Sequence, residues 1–322
     1  MTTSPHPTAG DSGANPHGPM LLIANPRSGK GRNAALAEAT AALDAAGAEY
    51  SVQITQRAGH AIELARDAVT NKGIRYVVAV GGDGTVHEVV NGLVDPETGL
   101  AYASDLVLGV IPGGSGSDFV KTWGLDIPIP RLVANHLVTA ATMPLDVGRV
   151  RFHDARGVER VRLFANIAEC GWGGDVTRRA NALPRFVGQA RYLMAILAST
   201  ARLKSVEAEV VVDHTTTTEA ITELVVANGQ FFGSGIKVAP RALPDDGIFN
   251  VQTWRGGVRD LLENLPKARA GEHLSSATVR EWQSTNVHID AARPMTLEAD
   301  GEVLGQTPAT FDVLHRVLQL SA

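Results

Sequence analysis

The chain has 322 residues, 44% of them apolar, and a formal net charge of −5. That is long enough for two domains with cores of their own, ordinary in composition for a soluble protein, and too acidic for a general nucleic-acid binder. A single cysteine, Cys170, leaves no internal disulfide and points to a reducing compartment, and no run is long and apolar enough to span a bilayer.

Met1–Pro19 is rich in Pro, Gly, Ser, Thr and His and lacks the apolar stretch of a signal peptide, so it reads as a disordered lead-in. Met20–Ala24 is a short apolar run, a buried strand ending in Asn25-Pro26-Arg27-Ser28-Gly29-Lys30-Gly31. An alanine-rich helix from about Asn33 to Ala46 follows, stopped by Gly47. The turn between them is either a phosphate-contacting loop or a solvent-facing connection; Walker spacing is absent. Tyr50–Ile54 alternates like a strand, and Thr55 and Gly59 precede a helix with Ile62, Ala65, Ala68 and Val69 on one face. Thr55 is a candidate nucleotide contact or a plain turn residue.

Val77–Gly92 carries the strongest signal. An apolar strand turns through Gly81, Gly82, Asp83 and Gly84 into a helix with Val86, Val89, Val90 and Leu93 on one face. Strand, glycine turn and helix together aim backbone N–H groups at a phosphate. A carboxylate in such a turn repels phosphate, so Asp83 must serve another purpose, whether bracing the loop, holding a metal or moving a proton. Leu106–Ile111 is the next strand, followed by Pro112-Gly113-Gly114-Ser115-Gly116-Ser117-Asp118-Phe119. Three glycine turns, each after a strand alternating with helices, predict a parallel sheet with a ligand beyond the strands' carboxyl ends.

The pattern changes near Met143, and a domain boundary is expected over Ala141–Pro144. Strand-like runs then dominate: Asp146–Phe152, Val161–Ile167, Val206–Val212, Ile221–Ala227, Phe249–Trp254, Val287–Ile289 and Met295–Leu297. Asp154–Arg160 and His214–Glu219 read as polar turns. One helical stretch, roughly Arg185–Lys204, interrupts the strands. Between Asp175 and Glu207 there is no acid, while Arg178, Arg179, Arg185, Arg191, Arg202 and Lys204 are interleaved with Phe186, Tyr192, Leu193 and Met194. This is either a lip for an anionic membrane surface, with Arg185, Phe186, Arg191 and Tyr192 at its edge, or a packing helix with a solvated basic face.

Pro244-Asp245-Asp246-Gly247-Ile248 is a tight turn that can hold a hard cation or simply be capped by Asp. Glu298-Ala299-Asp300-Gly301-Glu302 puts three carboxylates in five positions, a candidate base for a substrate alcohol or a polar hairpin turn. The ten histidines show no metal-binding spacing. His60 and His87, at helix starts, suggest capping or solvated roles. No nucleophile elbow or dinucleotide fingerprint is present.

Taken together, Asn25-Pro26…Gly29, Gly81-Gly82-Asp83-Gly84-Thr85…Glu88-Val89-Val90-Asn91-Gly92, Gly114-Ser115…Asp118-Phe119, Pro244-Asp245-Asp246-Gly247 and Asp300-Gly301-Glu302 resemble the diacylglycerol kinase/sphingosine kinase catalytic family, most of all its soluble bacterial lipid kinases. The match runs from about Met20 to the C-terminus in the family's order. The resemblance implies a three-layer α/β domain of phosphofructokinase or NAD-kinase type over 20–142 and a β-sandwich lipid-substrate domain over 143–307, with 308–322 returning to the first. It implies ATP in the cleft, contacted by Asn25, Thr55, Gly81, Gly82, Asp83, Gly84, Thr85, Val86, His87 and Ser115. Glu302 is the implied proton acceptor, with Asp83 as the alternative and Asp300 beside it. Mg²⁺ is implied as a cofactor, with a structural site at the Asp246 side chain and the Leu243 and Ile248 carbonyls. The implied partner is a lipid hydroxyl (diacylglycerol-like, phosphatidylglycerol-like or sphingoid) at the inner face of the membrane, met peripherally from the cytoplasm. One departure is Ser117, where the family often has Asn. The rivals are a kinase of a soluble acceptor such as NAD, and a non-catalytic nucleotide- or lipid-binding protein.

Overall fold

A computed structural model of the chain describes residues 15–26, 34–113, 116–154, 156–183 and 190–322. The lead-in as far as residue 14, the turn at 27–33, Ser115, Arg185 and Phe186 lie outside the described residues. Positions 15–19 depart from the expected disorder: Asn15 is buried and the His17 ring meets Tyr76 edge-on at 5.7 Å.

The first lobe is built on four parallel strands, β1 (Met20–Ala24), β2 (Tyr50–Ile54), β3 (Tyr76–Gly81) and β4 (Val107–Pro112), in the order β4-β3-β1-β2. Between them run α1 (Ala34–Ala45), α2 (His60–Thr70) and α3 (Asp83–Leu93). From β1 the chain steps outward to β2, then back across to β3 and on to β4. Right-handed crossovers therefore put α1 on one face and α2 with α3 on the other. β1 and β3 are buried on both faces, which is why they read as continuous apolar runs rather than alternating ones. Short α4 (Asp118–Thr122) and α5 (Ile129–Leu132), the latter extended by a π-helical turn over Val133–Leu137, complete the lobe.

The second lobe is a β-sandwich. Its strands are β5 (Met143–His153), β6 (Glu159–Phe164), β7 (Ile167–Gly171), β8 (Val206–Val212), β9 (Thr215–Ala227), β10 (Phe249–Arg255), β11 (Val279–Ser284), β12 (Asn286–Ala291), β13 (Thr296–Ala299) and β14 (Glu302–Leu320). One layer runs β11-β10-β9-β7-β13; β14, β12 and β5 form the other, with β6 on β5 and β8 joining β12 to β9. Phe164, Phe249 and Phe311 fill the interior, and Gly148 is small because the Phe164 ring occupies the space of a side chain there. β14 crosses between the lobes: it pairs with β13, β12 and β5, and its last residues pair in parallel with β4 at Gln319↔Val107 and Leu320↔Leu108.

Three helices flank the sandwich: α6 (Trp172–Ala182), α7 (Ala190–Thr200) and α8 (Val258–Ala270). The helix expected over 185–204 ends at Thr200, short of Lys204, its first five positions lie outside the described residues, and α6 precedes it. The polar turn expected over 214–219 is instead the exposed start of β9, hairpinned onto β8. The turn expected over 154–160 gives way to β6 at Glu159.

Candidate active site

The parallel register lines up the ends of all four strands. Ala24 pairs with Ile54 on one side and Val80 on the other, and Gly81 pairs with Pro112. Asn25, Thr55 and Gly81 consequently lie in one row at the carboxyl edge, where such sheets bind ligands. The Asn25 N–H donates to Val80 O at 3.1 Å and the Thr55 N–H to Ala24 O at 2.9 Å, so that edge is tied down by its own backbone.

At the head of α3 the donors divide into used and unused. The N–H groups of Thr85 and Val86 both donate to Gly82 O, at 2.8 and 3.3 Å. The first helical residues, Asp83 and Gly84, have no intrahelical acceptor for theirs, and Gly84 is exposed. Asp83 and Gly84 are therefore the helix-start residues whose N–H groups no intrahelical carbonyl takes. Thr85 and Val86 are buried side chains, and Gly81 has to be glycine because Thr85 Oγ1 fills the place of its Cβ.

Asp83 has a bracing partner. Its Oδ1 accepts the Phe119 N–H at 2.9 Å, which places the carboxylate over the start of α4. Burial pushes its carboxyl up; the N–H groups of Phe119 and Asp118 pull it down, and the charges of Asp118 and Asp300 push it up again. The net shift is upward. Asp118 continues the tie, accepting from Ser234 N at 2.7 Å and from Lys121 Nζ at 2.9 Å, so α4 is bound to a loop of the second lobe. Ser117 sits at φ 50°, ψ 49°, a left-handed conformation that Asn adopts more readily than Ser.

The Asp300-Gly301 pair is the two-residue turn between β13 and β14. Ala299 pairs with Glu302, and both turn residues have positive φ, 49° and 85°. The turn aims the Asp300 side chain inward. Oδ2 accepts from Ala165 N at 2.8 Å, and Oδ1 from Asn166 N at 3.0 Å and Ile167 N at 3.1 Å. His87 Nδ1 lies 3.1 Å from Oδ2, and both side chains are only 2% exposed. Asp300 is therefore a saturated anchor between β6, β7 and α3, and has no lone pair turned toward a substrate. Glu302 is different: its side chain is 45% exposed, and Oε2 stands 3.7 Å from His87 Nε2.

His87 departs from the expectation of a solvated ring: the ring is buried between Asp300 and Glu302. Burial pulls its pKa down, but the Asp300 hydrogen bond and the charges of Asp300 and Glu302 outweigh burial and the opposing Arg162, and the net shift is upward. His60 does take a local role, accepting the Gln56 N–H at 3.1 Å on Nδ1.

The Glu88…Gly92 signature fastens α3 to α2 and, through Asn91, to β6 of the second lobe. Glu88 caps α2 through Gly59 N at 2.9 Å and Ala61 N at 3.0 Å. Asn91 pairs with the Leu163 backbone in both directions, at 2.9 and 3.0 Å. Gly92 lets α2 approach: a Cβ there would stand 2.5 Å from Ile62 O.

Farther out, Asp246 Oδ1 accepts Ile248 N at 3.1 Å and the Asp246 N–H reaches Leu243 O at 3.4 Å. Buried Asp146 fastens this turn to β14, accepting from Gly247 N at 2.7 Å, His315 Nδ1 at 3.0 Å and Arg316 N. Burial, then Asp146 and Asp245, push the Asp246 carboxyl up. Among the described residues no three His, Cys, Asp or Glu side chains cluster as metal ligands.

Two further features lie outside the glycine turns, the second of them in the basic, apolar stretch around Arg191 and Tyr192 that the sequence marks. Glu169, Glu223 and Glu298 form a buried row across β9, β7 and β13; burial first, and then neighbouring carboxylates, push all three carboxyls up. Glu223 Oε2 accepts Gly173 N at 2.8 Å at the head of α6, and a cavity of about 20 Å³, room for one water, adjoins it. The second is an apolar surface on α7: Tyr192, Leu193, Met194 and Leu197 are 44–62% exposed, and the Arg191 guanidinium lies over the Tyr192 ring at 5.1 Å. Among the described residues no helix is long and apolar enough to cross a membrane.

An α/β lobe with a glycine turn at a helix start is closed by a β-sandwich that delivers a half-exposed carboxylate, Glu302, to its edge, an arrangement able to hold a phosphate and take up a proton. Comparison with known proteins gives the family. The diacylglycerol kinase catalytic domain model matches residues 19–150, and the YegS C-terminal NAD kinase beta sandwich-like domain model matches 166–322. A diacylglycerol kinase of Mycobacterium tuberculosis is 29% identical over 94% of both chains, and one of Bacillus subtilis is 27% identical over 92% of this chain and 93% of its own. A probable YegS-like lipid kinase of Alcanivorax borkumensis is 27% identical over 85% of this chain and 87% of its own. A crystal structure of a putative diacylglycerol kinase from Bacillus anthracis superposes with a TM-score of 0.73 at 20% identity, over 94% of this chain and 96% of that one.

The chain belongs to the diacylglycerol kinase/YegS-like lipid kinase family. It is an enzyme, a lipid kinase, and membership of a kinase family implies ATP as the phosphoryl donor. The non-catalytic alternative falls away.

Proposed function

We propose that the chain transfers the γ-phosphate of ATP to the free hydroxyl of a diacylglycerol-like lipid, with Glu302 as proton acceptor. The observation that carries the reading is the contrast among three acids: Asp83 and Asp300 are committed to backbone N–H groups, while Glu302 is half-exposed beside α3. The substrate class rests on relatives named diacylglycerol kinase that match 94% and 92% of the chain.

In this mechanism the N–H groups of Asp83 and Gly84, reinforced by the α3 dipole, hold phosphate oxygens, with Asn25 and Thr55 on the same edge. Glu302 takes the acceptor's proton as its oxygen attacks the γ-phosphorus; the bond to the β-phosphate oxygen breaks, and ADP leaves. Mg²⁺ accompanying the nucleotide would supply charge neutralisation for the phosphates. A second, structural Mg²⁺ fits the donor set of the Asp246 turn: one carboxylate and two backbone carbonyls, all hard oxygen donors, with the crowded charges of Asp146 and Asp245 close by. Its effect would be to fix the turn against β14.

Residues 20–142 with the end of β14 that pairs with β4 form the nucleotide domain in this mechanism, and 143–307 with the rest of β14 the lipid domain. The exposed apolar residues of α7 and its Arg191 would meet an anionic lipid surface from the cytoplasmic side without spanning it. The test is a labelled-ATP assay over vesicles carrying diacylglycerol, phosphatidylglycerol, ceramide or a sphingoid base. Label in the diacylglycerol product supports the reading; turnover of a soluble acceptor such as NAD without lipid would overturn it.

A further inference from the structure

The two carboxylates at either end of the His87 ring hold that ring in unequal ways. On the Asp300 side everything is fixed. Asp300 accepts three backbone N–H groups as well as the imidazole, so it is an ionised acceptor, and the ring nitrogen facing it carries hydrogen. The neutral ring is thereby held as its Nδ1–H tautomer, and its lone pair is on Nε2. On the Glu302 side the gap is 3.7 Å, just beyond a hydrogen bond, and the carboxylate is free to move because nearly half of it is in solvent. A side-chain rotation closes that gap. The other charges felt by the ring are Arg162 from β6 and Glu298 from β13.

We propose that His87 is a positioning residue and proton store for Glu302, taking at Nε2 the proton that Glu302 lifts from the acceptor hydroxyl. The inference rests on Glu302 being the base. The balance is simple: the acceptor O–H bond breaks as the O–P bond forms, the proton passes from Glu302 Oε2 to His87 Nε2, and the electron pair of the broken P–O bond leaves with ADP. The resulting imidazolium lies between two carboxylates, and Glu302 is again ionised. The proton later returns through Glu302 to solvent as that side chain swings outward. Asp300 acts through the ring by fixing its tautomer, the role of the third member in a hydrogen-bonded triad.

The store works only when Nε2 is empty. A protonated ring would hold Glu302 in an ion pair, away from the acceptor. Turnover of the wild-type enzyme should therefore rise with pH along the titration of an imidazole displaced above 6.5 rather than along that of a carboxylate.

The experiment is the pH dependence of kcat for wild type and His87→Asn, with ATP affinity measured on both. The expected result is an acid limb in the wild type above the ordinary imidazole value of 6.5. In H87N the limb should fall into the carboxylate range, kcat at about pH 8 should drop roughly tenfold, and ATP affinity should stay within about twofold. An unchanged acid limb in H87N, or a loss confined to ATP affinity, would overturn the proposal. Should H87N not fold, His87→Gln takes its place: a fall of the acid limb into the carboxylate range supports the proposal, and an unchanged limb overturns it. Failure of the base reading is separable, since Glu302→Gln would then retain turnover; a dead E302Q beside an H87N of wild-type profile removes only the store.

Discussion

Replacing Asp300 by Ala separates an anchor from a second base. The wild-type carboxylate accepts the N–H groups of Ala165, Asn166 and Ile167 and the His87 ring within 2.8–3.1 Å, at 2% exposure. Removing it leaves three backbone donors and an imidazole nitrogen without an acceptor in a site closed to water. An unsatisfied buried donor costs about 1–3 kcal/mol, and partial hydration of the vacated space trims the sum. Asp300→Ala should thus lose on the order of 4 kcal/mol, a large share of the roughly 5–15 kcal/mol that holds a typical domain together. Urea unfolding monitored by tryptophan fluorescence and far-ultraviolet circular dichroism measures it, as a lower midpoint with an unchanged slope. A variant within about 1 kcal/mol of wild type that had nevertheless lost turnover would refute the anchor and make Asp300 a participant in the chemistry.

Glu169→Gln tests the buried carboxylate row. Because the native Glu169 carboxyl is raised, its stabilising contribution is whole below the unfolded value near about 4.3 and is lost as pH rises through the native value. The glutamine should leave stability near wild type at about pH 4 and raise it by on the order of 2 kcal/mol at about pH 8, read from thermal unfolding at both pH values. Ser117→Asn should stabilise by up to about 1 kcal/mol, because Asn relieves the left-handed conformation at the head of α4; a lower melting temperature would mean that the serine side chain matters more than its backbone. Millimolar Mg²⁺ without nucleotide should raise the melting temperature of wild type but not of Asp246→Asn, and equal shifts in the two would remove the cation from that turn.

The parts of the fold legible in the sequence are those that depend on local pattern. The glycine turn after β3 and the alternation of strands with helices specify the first lobe because parallel strands and crossovers are written in contiguous runs. The function of the Glu-Val-Val-Asn-Gly run is not written in the same way. Glu88, Asn91 and Gly92 are required by α2 and Leu163, up to 72 residues away in sequence. α6 is hidden because Gly173 and Gly174 are poor helix formers; the Glu169 carboxylate and the Thr296 carbonyl occupy the space of their side chains. α8 does carry local signals, Asp260 accepting the Gly257 N–H at its start and a left-handed Gly271 at its end, but Pro266 interrupts the pattern and conceals it. At the site itself, Glu298–Glu302 is legible both as a polar hairpin turn and as a run of carboxylates, and the structure makes it a hairpin turn whose Asp300 carboxylate meets His87. His87 gives no signal of its own, since what sets its environment is a turn 213 residues away.

The most direct test of Glu302 as the base is single-turnover phosphorylation of diacylglycerol vesicles by Glu302→Gln, with ATP binding measured on the same preparation. The expected result is a loss of about 10²–10⁴-fold in the chemical step with nucleotide affinity unchanged. Wild-type turnover by E302Q would contradict it and return the proton to Asp83.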